Sequence, residues 1–236
     1  YWVSKYNWKK EQEKLNSLKH FTSNIDDLNI HYVYEKGKSS NAIPLLISHG
    51  WPGSFLEFNK IIGPLTNPKK YGFDDNICFD LIMPSIPGFV FSSAPKYPYG
   101  PRKIAAYYDK LMTEVLNYKS YYAQGGDWGG AISSWLGYDY GNNCKGIHIN
   151  IMIVRDKNGP QSTEEKLWQN NFKIEQTLEE GYRTLQATKP QTLGVAMVDN
   201  PVGTAAWILE KFYGWTDLRK KKLMEVYDYD DLINNI

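Results

Sequence analysis

Short apolar runs, too brief for helices, recur through the first two thirds of this chain, each followed by a longer segment with apolar residues at helical spacing. Residues 43–47 and 79–83 are such runs, 121–124 leads into glycines, and 146–150 is strand-like. Brief apolar runs suit strands buried on both faces, and Pro44 is tolerable near the start of the first. Behind that run, Ser54-Phe55-Leu56-Glu57 reads as a capping box, and Phe55, Phe58, Ile61, Ile62 and Leu65 keep helical spacing after it. Residues 104–116 and 131–138 supply two further helices. Strands alternating with helices require right-handed crossovers, which gives an α/β class with a mostly parallel sheet covered on both faces.

The flanks read differently. Residues 29–34 alternate with period two, as a half-buried strand does, and 37–41 supply a turn. Residues 1–28 are polar and aromatic, an N-terminal arm with a short exposed helix near 9–15 and a break at Ser23-Asn24. Past residue 155 the pattern is helical only. Ser162-Thr163-Glu164-Glu165 opens a helix with Leu167, Ile174, Leu178, Tyr182 and Leu185 down one face, and further helices start near Pro190 and Pro201. The expected organisation is therefore an arm (1–28), a sheet core (29–155) and a helical segment (156–236). The Arg219-Lys220-Lys221-Lys222 run reads as a solvated helix face.

Composition excludes several classes. The 236 residues, 42% apolar and 22% charged, suit one large globular domain or a domain with an insertion, without repeats or low-complexity tracts. A net charge of +1 gives no basic field to collect phosphates, so nucleic acid is not an expected partner. Cys78 and Cys144 lie far apart without zinc or disulfide spacing and read as buried thiols in a reducing compartment, which points to the cytoplasm for the chain as given. No apolar run approaches the roughly 20 residues of a membrane span, so a membrane enters only if an anchor precedes Tyr1. No GxxxxGK, HExxH or Rossmann glycine pattern occurs, so no cofactor and no metal are expected.

The chemistry concentrates in two loops. Gly125-Gly126-Asp127-Trp128-Gly129 lies between a strand and a helix and has the small-x-nucleophile-x-small form of a nucleophile elbow, with Asp in place of Ser. Its glycines would keep side chains out of a sharp turn; the alternative is a Gly-rich turn whose Asp127 merely caps the next helix. His49-Gly50-Trp51-Pro52-Gly53 follows the first buried strand, where such folds supply a second oxyanion amide. The backbone N–H groups of Trp51 and Trp128 would converge beside Asp127, with His49, Gly50 and Pro52 fixing the turn. A carboxylic acid of ordinary acidity is already anionic at neutral pH, so unlike serine it needs no base to attack.

Taken together, Trp8, the run from Ile25 to His31, His49-Gly50-Trp51-Pro52-Gly53-Ser54, Pro84-Ser85-Ile86-Pro87-Gly88-Phe89, the elbow, and Gly146-Ile147-His148-Ile149-Asn150 resemble the microsomal-type epoxide hydrolases. Gly181-Tyr182, Thr188-Lys189-Pro190-Gln191 and the run from Ala206 to Phe212 resemble that family's helical cap. The resemblance implies an α/β-hydrolase core in which Asp127 opens a small apolar epoxide to a covalent ester, Tyr182 matches the first of two cap tyrosines that protonate the alkoxide, and water completes a diol. It also implies a histidine and a relay acid after the cap. The chain offers His20, His31, His49 and His148, the last read as a packed histidine, and so reads as a C-terminally truncated member lacking the final strands, prone to self-association and able to form the ester without turning it over. The other readings are a haloalkane dehalogenase-like hydrolase, which Trp128 would also suit, and a non-catalytic binder of an apolar ligand.

Overall fold

A computed structural model describes residues 1–74, 76–152 and 156–236. The chain divides between residues 153 and 154 into two compact units, with Asn235 grouped with the first. The boundary expected after residue 155 adjoins 153–155, which lie outside the described residues.

In the first unit, helix α1 (Trp8–Asn16), capped by the Asn7 side chain on the Lys10 N–H, precedes strands β1 (His20–Ile25) and β2 (Leu28–Glu35). Strand β3 (Ile43–Ser48) follows, then a 3-10 turn Phe55–Phe58 that runs into α2 (Asn59–Thr66), and β4 (Phe79–Pro84). Helix α3 (Pro101–Lys110) continues through a π-helical turn Leu111–Val115 to β5 (Tyr121–Gly125), α4 (Trp128–Asp139) and β6 (Cys144–Ile149). Among the described residues six strands form one sheet in the order β1-β2-β4-β3-β5-β6. The pairs β4/β3, β3/β5 and β5/β6 are parallel, whereas β1/β2 and β2/β4 are antiparallel.

The arm is thus partly sheet. Ser23-Asn24, expected as a break, lie inside β1, and the reversal comes at Asp26-Asp27, where Asp26 takes a left-handed φ of 52°. An edge strand with Phe21 exposed and mostly polar neighbours buries too little to show an apolar pattern.

Alternation along the central strands sends successive side chains to two cores. Leu46, Ile82 and Ala123 pack with Ile104 and Tyr108 from α3, Met112 from the π-helical turn, and Ile132 and Leu136 from α4. Ile47, Val33, Leu81 and Met83 pack on the other face with Phe55 and Phe58, against Leu15, Leu18 and Ile62. Both cysteines are free and buried. Beside α2, that second face leaves a cavity of about 750 Å³ floored by β3, β5 and β6.

The second unit is helical: α5 (Thr163–Glu179), α6 (Gly181–Thr188), α7 (Pro190–Met197), α8 (Pro201–Trp215), α9 (Leu223–Val226) and α10 (Tyr229–Asn234). The capping box at Ser162 forms, with Glu165 N–H on Ser162 Oγ at 3.0 Å and Ser162 N–H on Glu165 Oε2 at 2.9 Å. The single long face expected from Leu167 to Leu185 is broken after Glu179, so Tyr182 and Leu185 belong to α6. Arg219 to Lys222 lie in the connection between α8 and α9, not on a helix, and Arg219 pairs with Asp217 at 2.6 Å. Among the described residues no helix is long and apolar enough to cross a membrane.

Candidate active site

Strand β3 lies between β4 and β5, so the chain leaves β3 toward one side and returns on the other. Ligands of open α/β sheets bind at such a switch point, beyond the carboxyl ends of the strands. The register pairs Ser48 with Gly125, which brings the loops after β3 and β5 out side by side. These are the two loops singled out in the sequence.

At the elbow, Asp127 adopts φ 49° and ψ −124°, a region that residues with side chains rarely enter. The turn is held by close approach. A Cβ on Gly125 would overlap the Gly129 carbonyl, and one on Gly129 would overlap the Ser48 carbonyl at the end of β3. Gly126 packs in the same way against the Asn150 side chain. The capping alternative for Asp127 is overturned, because its side chain makes no bond to the helix it precedes. Instead, Asp127 Oδ1 accepts the Trp51 backbone N–H at 2.9 Å, across 76 positions of sequence. Gly50 makes that approach possible, since a Cβ there would overlap the Asp127 carboxylate. Trp128, first residue of α4, and Asp127 are both exposed.

His49 is buried below this turn. Its Nδ1 donates to the Gly50 carbonyl at 3.0 Å and its Nε2 accepts the Ile86 N–H at 3.1 Å, a pattern that requires the neutral ring. Burial accordingly pushes its pKa down, against the Gly50 hydrogen bond and the nearby Asp127. The turn itself closes with the Gly53 N–H on the Gly50 carbonyl at 3.1 Å and a cis peptide between Trp51 and Pro52.

Glu57 departs from its expected role. The Ser54 hydroxyl caps the Leu56 N–H at 3.2 Å, and the Glu57 carboxylate folds over Gly53, where a Cβ would overlap it. Glu57 opens onto the cavity beside α2, yet loss of water around its carboxylate and the like charge of Asp127 raise its pKa to about 7, against a hydrogen bond from the Gly50 backbone. His148, expected as packed, is exposed on β6 and lines the same cavity.

Tyr182 lies in the helical unit, edge-on to Trp215 with ring centroids 5.2 Å apart. Lys211 Nζ sits 5.1 Å from its ring centroid. Lys211 is only 4% exposed and bonds Glu179 at 3.0 Å and Glu210 at 2.6 Å. Burial pulls the pKa of Lys211 down, but the two carboxylates outweigh it and leave it raised. Among the described residues no group of three His, Cys, Asp or Glu could hold a metal ion.

The family model described as alpha/beta hydrolase fold matches residues 43–198, from β3 through the elbow into the helical unit. The chain belongs to the alpha/beta hydrolase fold family. A second model, described as epoxide hydrolase N terminus, matches residues 1–58 of this α/β-hydrolase chain. The chain is 40% identical to juvenile hormone epoxide hydrolase 1 of Ctenocephalides felis and 38% identical to epoxide hydrolase 1 of Oryctolagus cuniculus, in both cases over all of its own length. It spans 55% and 58% of those two relatives. The crystal structure of juvenile hormone epoxide hydrolase from Bombyx mori superposes with a TM-score of 0.87 at 34% identity, over all of this chain and 60% of that one.

Within the first unit, the α/β-hydrolase fold brings Trp51, Gly50 and Asp127 into contact around one turn, with His49 beneath it. Glu57 was missed as a member of this group because an acidic residue three places after a serine at a helix start has a sufficient local explanation. The signal that could have found it is Gly53 four places earlier, which leaves room for a carboxylate to fold back.

Proposed function

We propose that this chain carries out the covalent half of an epoxide hydrolase reaction, with Asp127 as nucleophile and Tyr182 as proton donor. The observation that carries the reading is the Trp51 N–H on Asp127 Oδ1 at 2.9 Å, on a strained turn at the sheet's switch point. A carboxylate so held keeps Oδ2 without a hydrogen-bond partner among the described residues, available for in-line attack on a ring carbon. The attack forms an ester and an alkoxide. An alkoxide is a poor leaving group, and Tyr182, a phenol beside the Lys211 ammonium, is suited to supply its proton. When the ester is hydrolysed, the Trp51 and Trp128 N–H groups would hold the tetrahedral oxyanion. Kinship with epoxide hydrolases over the whole chain supports an epoxide substrate rather than a haloalkane.

Hydrolysis of the ester needs a base for water. His49 is committed by both ring nitrogens, His20 and His31 bond each other at 2.9 Å, with His20 also on the Leu15 carbonyl and His31 on Ser85 Oγ, and His148 faces the cavity beside α2, whose lining does not include Asp127. We therefore propose that the 236-residue chain forms the ester but does not release it at a native rate. After incubation with styrene oxide, mass spectrometry should find one epoxide equivalent added to the peptide containing Asp127 and none in Asp127→Asn. Labelling that survives Asp127→Asn, or release of chloride from a chloroalkane in place of diol formation, would sink the reading.

A further inference from the structure

Two carboxylates share the turn after β3. Asp127 lies over Gly50 and Glu57 lies over Gly53, the two ends of a turn closed by the Gly53 N–H on the Gly50 carbonyl at 3.1 Å. Both glycines lack the Cβ that would displace these carboxylates, so the turn accommodates both groups at once. One carboxylate is held by the Trp51 N–H and, on the reading above, attacks. The other is not used by that mechanism. Resting on the assignment of Asp127 as nucleophile, we propose that Glu57 is a positioning residue for the proton of the reaction: it holds a proton while Asp127 is a free carboxylate, releases it to solvent through the cavity when Asp127 is esterified, which offsets the proton that the alkoxide takes up by way of Tyr182, and regains one from solvent when the ester is hydrolysed.

The proton balance of the two half-reactions has this form. In ring opening an epoxide C–O bond breaks, an Asp127 oxygen forms a C–O bond in its place, and the alkoxide takes up one proton. In hydrolysis water adds to the ester carbon, the acyl C–O bond breaks, the diol leaves, and the Asp127 carboxylate returns with release of one proton. Charge on Asp127 therefore disappears when a proton is needed and reappears when a proton is set free. A second carboxylate close enough to feel that charge is protonated and deprotonated in phase with it. Burial is the larger cause that raises Glu57 to about 7 and the like charge of Asp127 the second; esterification removes the second, so Glu57 becomes more acidic while burial still holds it above an ordinary carboxylic acid. Among the described residues, the ionisable groups that line the same cavity are His148 of β6 and Tyr122 of β5, and His49 is bonded to Gly50 beneath the turn. Opening onto that cavity gives Glu57 a path for proton exchange.

The test follows protons and ester together in the full-length protein. Styrene oxide is mixed with enzyme in weakly buffered solution containing a pH indicator, and quenched samples are read by mass spectrometry for ester on the Asp127 peptide. Just below about pH 7 the wild type should take up less than one proton from solvent per ester formed, rising toward one above that value, where Glu57 is already ionised, and again in more acid solution, where Glu57 keeps its proton in both states. Glu57→Gln, which mimics the protonated side chain, should take up about one proton per ester at every pH, and should hydrolyse the ester on the order of 10-fold more slowly. Ester formation with the same proton count in wild type and Glu57→Gln overturns this proposal alone. The wild-type pH series stands without the variant: an uptake of one proton per ester at every pH, with no dip just below about pH 7, also overturns it. Absence of ester on Asp127 in the wild type overturns the nucleophile assignment and this proposal with it.

Discussion

The sheet unit and the helical unit solve the problem of burial in different ways. Each central strand of the sheet feeds two cores, so Leu46 and Ile47, adjacent in sequence, are both essentially inaccessible to water. In the helical unit, helices α5, α6 and α7 bury no residue fully, and Leu178, Val195 and Val198 are 80%, 75% and 86% exposed. One of its few buried side chains is the charged Lys211. A sheet whose alternation is satisfied on both faces fixes its loops to within a hydrogen bond, and the elbow uses that rigidity. A helical unit with open apolar faces keeps its order through caps and ion pairs, and through ring contacts such as that of Tyr182 with Trp215.

The widest separation between the two should come from the same truncation made in each. Leu46→Ala in β3 should destabilise the sheet unit by about 3–5 kcal/mol, because the site is closed on all sides and cannot collapse. Leu178→Ala in α5 should change stability by no more than about 0.5 kcal/mol. Urea unfolding combined with hydrogen exchange resolved by peptide measures both; equal costs would erase the contrast.

Acid should also act on the sheet unit first. His31, 2% exposed and bonded to His20 and Ser85, is pushed down to about 4 by burial, with neighbouring His20 adding to the effect. The unfolded chain returns it to an ordinary value of 6.5. Above pH 6.5 both states are neutral at this residue and stability is unaffected; below it the unfolded state binds a proton that the folded state refuses. The sheet unit should therefore lose about 3 kcal/mol as pH falls from 6.5 to 4, with no further loss from this residue below that. The difference between wild type and His31→Gln isolates the contribution.

The comparison also explains what could be read from the sequence. Strands β3 and β4 were legible because burial on both faces writes a short apolar run, and the helices after them because one face must match that sheet. Strand β1 was not, since an edge strand with Phe21 outward leaves no alternation to find. The elbow and the Trp51 loop were each legible as chemistry, but their meeting depends on β3 and β5 being neighbours, a property of topology. Glu57 was hidden because a helix start gives it a sufficient local role, and only the fold places its carboxylate over Gly53. In the helical unit Tyr182 was legible by resemblance, while Lys211 and Trp215, brought to it across α6 and α8, were not.

Glycine sharpens the contrast to a difference in sign. In the sheet unit Gly125 closes the elbow, and the Cβ of an alanine there would overlap the Gly129 carbonyl, an obstacle made of backbone that cannot rotate away. Gly125→Ala should cost about 2 kcal/mol or more and shift Asp127 off the Trp51 N–H, visible as slower labelling by styrene oxide. Gly194 lies within α7 with open space where a Cβ would go. There the same substitution reduces the freedom of the unfolded chain and meets no neighbour, so Gly194→Ala should stabilise the helical unit by about 0.5–1 kcal/mol. Greater protection of the α7 peptides in hydrogen exchange, with the elbow peptides unchanged, is the expected result. A destabilised Gly194→Ala would mean that α7 packs more closely than its exposed face indicates, and the two units would then differ less than their burial patterns imply.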